Sequence, residues 1–179
     1  MKLRQFSTAL LCLTVFCITT CRTTKPADSS LFDRLRAAVS RVPGWIEKKD
    51  QYQVFKAEEL YGIIDGGATE YIKQGLISGM AVACTSETRS LGMYFEDFGT
   101  DSRAKGMVII KKKAMSEPKA VPKVSVSPAM YEEVLGGCVA YWAKGRYYIE
   151  MTLTGYDSQP IAVRDAVTLI DSIGTVIGK

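Results

Sequence analysis

The chain of 179 residues contains no histidine. That absence excludes Ser-His-Asp and Cys-His nucleophile activation and every His-ligated metal site. Catalysis by carboxylate, lysine or tyrosine stays open. A long apolar run is missing as well: the stretch Phe6 to Ile18 is shorter than the roughly 20 residues a helix needs to cross the hydrocarbon core. Nor does one sign of charge dominate, with 23 basic against 19 acidic residues, and a near-neutral balance argues against a nucleic-acid partner. The one basic run, Lys111 to Lys113, falls where a helix should end. Positive charge there meets the negative end of the helix dipole, so the run reads as a solvated terminus. No set of residues marks a cofactor or metal site.

What is present begins with an export signal. Lys2 and Arg4 form a charged region, Phe6 to Ile18 an apolar one, and Ile18-Thr19-Thr20-Cys21 a cleavage region. Ile18 to Cys21 resembles the bacterial lipobox, which implies that the Cys21 thiol is joined to diacylglycerol and the chain cut before it. Thr20 departs from the small residue usual at that position. The expected organisation is a signal peptide over 1–20, a lipidated N-terminus and tether over 21–29, and a single α+β domain over 30–179. Removing 1–20 takes away Lys2 and Arg4 and no acid, leaving a net charge of +2. Each buried acyl methylene adds about 0.8 kcal/mol, so two or three chains hold the protein to the membrane far better than one. Arg22 to Ser29 is polar and holds Pro26, as suits a short tether. The expected location is the bacterial cell envelope, on its periplasmic or surface face, with the membrane as a partner through the lipid.

Three cysteines remain after cleavage: Cys21, Cys84 and Cys138. An oxidising compartment permits a bridge between the last two, but spacing alone does not bring their backbones together. Two separately buried thiols are the default expectation.

The domain reads as an antiparallel sheet of β-hairpins with helices packed on it. Ser30 can cap a helix running to Ser40, ended by Pro43-Gly44, and Trp45 then plugs the core edge. From Ala57 to Gln74, Leu60, Ile64, Ala68, Tyr71 and Ile72 share a helical face, and Gly75 is a natural stop. Gly66 and Gly67 cost about 1 kcal/mol each inside a helix, so they mark either close backbone packing or a break. Met80–Thr88 and Leu91–Phe98 read as a hairpin, followed by a helix capped within Thr100 to Ser102 and running to about Lys112. Ser116 to Pro128, with three prolines, reads as loop or edge. A last helix from near Ser158 and Pro160 carries Ile161, Ala166, Val167, Ile170, Ile173 and Ile177 in one stripe. Strand pair then helix occurs twice, which hints at a duplicated β-β-α unit.

The clearest hairpin joins Cys138–Ala143 to Arg146–Leu153 through Lys144-Gly145. That turn pairs Trp142 with Tyr147, Ala140 with Ile149 and Cys138 with Met151 on a core face. Tyr141 then pairs with Tyr148 and Val139 with Glu150 on the other face. This second face, two tyrosines beside a carboxylate, is either a stacking platform for a ligand or the surface on which a helix rests. Tyr141 and Tyr148 are the candidate ligand-binding residues.

Pro43-Gly44-Trp45, Leu60-Tyr61 leading to Asp65-Gly66-Gly67-Ala68, Gly75, Asp97-Phe98-Gly99, Ala104 with Gly106, and the Trp142 to Tyr148 hairpin together resemble an uncharacterised bacterial family of exported, often lipid-anchored proteins. That family carries an Asn/Asp-Gly-Gly/Ala-Ala-acid helix motif, and the resemblance implies a fold and an exported location. Thr69 stands where the family has its acid, with Glu70 one position on. One residue turns a helical side chain by about 100°, so a role of the family acid does not transfer to Glu70.

Two functions of different classes follow. The first is a non-enzymatic envelope lipoprotein whose domain binds a partner protein or small ligand. The second is a carboxylate-dependent hydrolase of the envelope using Asp65, Glu70, Glu96 or Asp97, one of them with its pKa raised by burial. The ordinary structural roles for these groups are a turn or cap for Asp97 and a solvated helix face for Glu70.

Overall fold

The computed structural model describes residues 29–64 and 66–177. Cys21, the signal peptide, the tether up to residue 28 and Asp65 lie outside the described residues. In chain order the elements are α1 (Ser29–Ser40), β1 (Ile46–Glu47), β2 (Gln53–Lys56), a 3-10 segment (Ala57–Gly62), α2 (Ala68–Gln74), β3 (Ser78–Ser86), β4 (Arg89–Asp97), α3 (Asp101–Ala114), β5 (Lys119–Ala120), β6 (Ala129–Val134), β7 (Gly137–Lys144), β8 (Tyr147–Thr154) and α4 (Gln159–Ile177). The fold is α+β. Its strands form one antiparallel sheet in the order β1-β3-β4-β8-β7-β6-β5, with β2 also paired to β3.

Period-two alternation sorts the strand side chains onto two faces. The first face is apolar throughout: Val82 and Cys84, Met93 and Phe95, Ile149 and Met151, and Ala140 and Trp142 are all buried, under Leu35 and Val39 of α1 and Ala166, Ile170 and Ile173 of α4. Each large side chain so buried contributes about 1.5–3 kcal/mol, so this face dominates the stability. Trp45 closes its edge, and Arg36 of α1 forms an ion pair at 2.6 Å with Glu47 of β1. The second face is covered by α2, α3 and the 3-10 segment, whose Leu60, Ala68, Tyr71, Ala104, Met107 and Val108 pack with Phe98, Ala143 and Tyr148. The two strand-strand-helix stretches, β3-β4-α3 and β7-β8-α4, meet at the β4–β8 pair, and their helices lie on opposite faces.

Several expectations are corrected. Helix α1 begins at Ser29, so position 30 lies within it. The helix expected over 57–74 is two pieces: the 3-10 segment ends at Gly62 and α2 starts at Ala68. Gly66 has φ +72°, a left-handed conformation that a helix cannot contain and glycine adopts freely, so the glycines mark the break. Gly75 does stop α2, with φ +95°. The β7–β8 turn is Gly145-Arg146, closed by Lys144 opposite Tyr147. Gly145 at φ +56° takes the first central position of the turn, where a positive φ is needed. The pairing is therefore Trp142 with Ile149, Ala140 with Met151, Tyr141 with Glu150 and Ala143 with Tyr148. A slip of two residues keeps each side chain on its expected face.

Thr100 caps α3 by accepting a hydrogen bond from the Arg103 N–H at 3.3 Å. Cys84 and Cys138 are separate, buried, free thiols. Burial pushes them up to about 11 and about 12 respectively, which makes both poor nucleophiles. Among the described residues no helix is long and apolar enough to cross a membrane.

Candidate functional site

The second face of the sheet carries polar groups where apolar ones would pack more cheaply. β4 presents Tyr94 and Glu96 there, β8 presents Tyr148 and Glu150, and β7 presents Tyr141. Because β8 lies between β4 and β7, Glu150 stands opposite Tyr94 on one side and Tyr141 on the other, while Glu96 stands opposite Tyr148. α2 adds Tyr71 from above and the last turn of α3 adds Lys111.

Glu150 is the hub. Its Oε2 accepts a hydrogen bond from the Tyr71 hydroxyl at 2.8 Å and another from the Tyr148 hydroxyl at 3.2 Å. Lys111 Nζ lies 3.7 Å from the same oxygen, 4.6 Å from the centre of the Tyr71 ring and 6.0 Å from that of Tyr141, within cation–π range of both. Tyr141 and Tyr148 stack with centroids 6.4 Å apart and planes 13° from parallel. Tyr71 and Phe98 meet Tyr148 edge-on at 6.3 and 6.0 Å. Tyr148 is fully buried, and Tyr94 and Tyr141 are half-buried.

Glu96 is buried, at 1 % exposure, and its Oε2 has no hydrogen-bond partner. Burial first and the neighbouring Glu150 second hold its carboxyl well above the usual range, against a smaller pull from Lys111. Burial, with the nearby Glu150 next, likewise raises the phenols of Tyr71, Tyr94, Tyr141 and Tyr148. A consequence is testable. With its carboxyl value raised, Glu96 keeps its proton to higher pH in the native state than in the unfolded chain, which releases it near the ordinary value of about 4.3. The stabilisation is complete below that pH and is lost as pH rises through the raised native value. Glu96→Gln is therefore expected to flatten the fall in unfolding free energy as pH rises above the ordinary carboxyl value of about 4.3. Urea denaturation at a series of pH values measures it, and an unchanged slope would show that Glu96 is ionised in the native state.

Of the candidate carboxylates, Asp65 lies outside the described residues and the other three do not converge. Glu70 is exposed and lines a depression of about 520 Å³ with Gly66, Gly67 and Lys73. Glu96 and Asp97, as successive strand residues, point to opposite faces. Asp97 is buried, receives both Nε and Nη2 of Arg146, and caps the following turn by accepting from the Gly99 N–H at 2.8 Å. Its role is structural. Among the described residues, no group of three acidic or cysteine side chains is placed to hold a metal ion. A surface groove of about 550 Å³ between Pro122, Tyr131 and Val163 of α4 is apart from these groups, and its Glu133 is already paired with Lys119 at 2.8 Å.

Tyr141, Tyr148 and Glu150 thus lie together, as the alternation along the hairpin requires. Tyr71, Tyr94 and Lys111 were not legible as partners of that face. Tyr71 reads as one more apolar helical position, and the lysine run reads as solvated, whereas Lys111 is turned inward at 20 % side-chain exposure. A helix end three lysines long with only one on the inner side was the available signal.

No family model matches the chain, and no curated protein matches it. Among solved structures, the extracellular domain of PknH from Mycobacterium tuberculosis superposes with a TM-score of 0.48 at 13 % identity, over 85 % of this chain and 99 % of that one. A likeness of that size assigns neither function nor partner.

Proposed function

We propose that the chain is an exported envelope lipoprotein anchored through Cys21, whose domain is a binding module that takes a small ligand at the Tyr141–Tyr148 face. The observation that carries the binding reading is the polar nest itself. Two carboxyl groups and three tyrosines occupy a helix-covered sheet face, a fourth tyrosine reaches them from α2, and one carboxyl oxygen is buried there without a partner. Apolar residues of similar volume are often as stable or more so in such positions, so polar groups there need a reason beyond stability. The nest lies beneath α2 and α3, where a flat protein surface does not reach it. The anchor rests on the lipobox-like residues before Cys21 and on the polar stretch after it.

Mass measurement of the protein extracted from membranes tests the anchor. A chain beginning at Cys21 with two or three acyl groups is expected, and a chain beginning upstream, or with a free thiol at Cys21, overturns it. Native mass spectrometry of the domain purified from envelope tests the module. A bound small molecule is expected in the wild type and its loss in Tyr141→Ala, while identical unliganded spectra for both would sink the binding reading.

A further inference from the structure

We propose that the nest of Tyr71, Tyr141, Glu150 and Glu96 is a site for the primary ammonium group of a small cationic ligand, and that Lys111 is its built-in competitor. The inference deepens the binding reading above and rests on it. Lys111 demonstrates the chemistry, since its own ammonium already lies over the Tyr71 ring at 4.6 Å and near that of Tyr141 at 6.0 Å. Tyrosine faces attract cations through their quadrupole, more strongly where water is excluded.

The resident cation fits poorly. Its 3.7 Å separation from Glu150 Oε2 exceeds the roughly 2.7–2.9 Å of a charge-assisted hydrogen bond. Glu96 Oε2, buried on the same face, remains without a donor. An ammonium free of the α3 backbone can settle closer to both carboxyl groups, offering three N–H donors to Glu150, whose present cation stands 3.7 Å away, and to Glu96 Oε2, which has no donor. A quaternary ammonium has no such donors, so the acceptors favour a primary amine. The way in is at Lys111, where Lys111, Glu150, Tyr94 and Tyr141 keep partial exposure. Lys111 is in the last turn of α3, and its side chain can swing to solvent without moving the helix.

Lys111→Ala vacates the nest, and ethylammonium chloride is the probe, with sodium chloride of equal ionic strength and ethanol as controls. The expected result is a saturable rise in the melting temperature of Lys111→Ala that neither control gives. Half-saturation should come at about tenfold lower concentration than in the wild type, because the internal competitor is gone. The response is expected to disappear when Glu150→Gln is added. An equal response to tetramethylammonium would overturn the primary-amine assignment, and no saturable response to ethylammonium would overturn the site. In the latter case, binding of neutral indole to Lys111→Ala leaves the ligand-binding reading standing, whereas no binding of either probe counts against both. Should Lys111→Ala fail to fold, the wild type still decides. Its Lys111 Nζ lies over the Tyr71 ring at 4.6 Å, so the adjoining ε-methylene protons are expected upfield in the NMR spectrum. Ethylammonium should return them toward free-lysine positions, and an unmoved signal at saturating probe overturns the proposal.

Discussion

Arg146→Met is expected to destabilise the domain by about 3–5 kcal/mol, the range observed when one partner of a buried ion pair is removed and the other stays behind. Asp97 ends β4 at 0 % exposure, and Arg146 is the second residue of the β7–β8 turn. The guanidinium donates through Nε and Nη2 to the two carboxylate oxygens, a fork-on-fork geometry that only arginine supplies. The backbone joins the same tie, with the Phe98 N–H donating to the Arg146 carbonyl at 2.9 Å. The pair therefore locks the end of one hairpin to the turn of the other. Methionine keeps much of the aliphatic length and offers no donor, so the carboxylate stays buried without its cation. Asp97→Asn should cost less. Arg146 retains 28 % side-chain exposure and can turn to water, and an amide oxygen still accepts from Gly99. Urea denaturation at pH 7 ranks the two. A loss below about 1 kcal/mol for Arg146→Met, the scale of an exposed pair, would show that the tie is no more than a surface contact.

Gly137→Ala is expected to cost at least about 3 kcal/mol, a size reserved for changes the structure cannot relax around. A Cβ at Gly137 would lie 1.8 Å from the Leu153 carbonyl oxygen, 2.7 Å from its carbonyl carbon and 3.0 Å from the Thr154 Cα. All three are backbone atoms of the paired strand β8, so no side chain can swing aside. The start of β7 would have to part from β8 beside Cys138 and Leu153, which are fully buried. The neighbouring bond from the Tyr156 N–H to the Gly136 carbonyl, 2.9 Å, would be strained with it. Gly92→Ala is the control. Nothing lies within 4 Å of its added Cβ, and no positive φ is involved. Thermal unfolding of the two variants should separate them by several degrees, and equal melting temperatures would mean that the strands adjust freely at Gly137.

Much of this arrangement was legible in the chain. The alternation along residues 138–153 places Trp142 and Ala140 in the core and Tyr141 and Tyr148 on the opposite face, because side-chain direction reverses at every strand residue. The stripe on 159–177 marks a core helix by the same kind of arithmetic at period 3.6. Register was not legible, since it turns on which residue takes the positive φ, and Lys144-Gly145 and Gly145-Arg146 both place the glycine in a two-residue turn. Strands β1, β2 and β6 escaped notice for another reason. β1 has two residues and β2 four, and β6, Ala-Met-Tyr-Glu-Glu-Val, carries adjacent glutamates that blur the alternation. Their strand character comes from the partners they add to, β3 for the first two and β7 for the third.

The sequence by itself determined that this is an α+β chain without histidine chemistry, which residues go in and which go out along 138–153, and that a lipobox-like stretch precedes Cys21. Those properties are local, set by periodicity, composition and a few residues of context. Only the tertiary structure decided that β4 lies beside β8, which brings Glu96 and Glu150 onto one patch of sheet although they are far apart in the chain. It alone decided that α2 and α3 close over that patch, bringing Tyr71 and Lys111 to it. The charge state of Glu96 is a property of that enclosure, because desolvation depends on what covers a group and not on its neighbours in sequence.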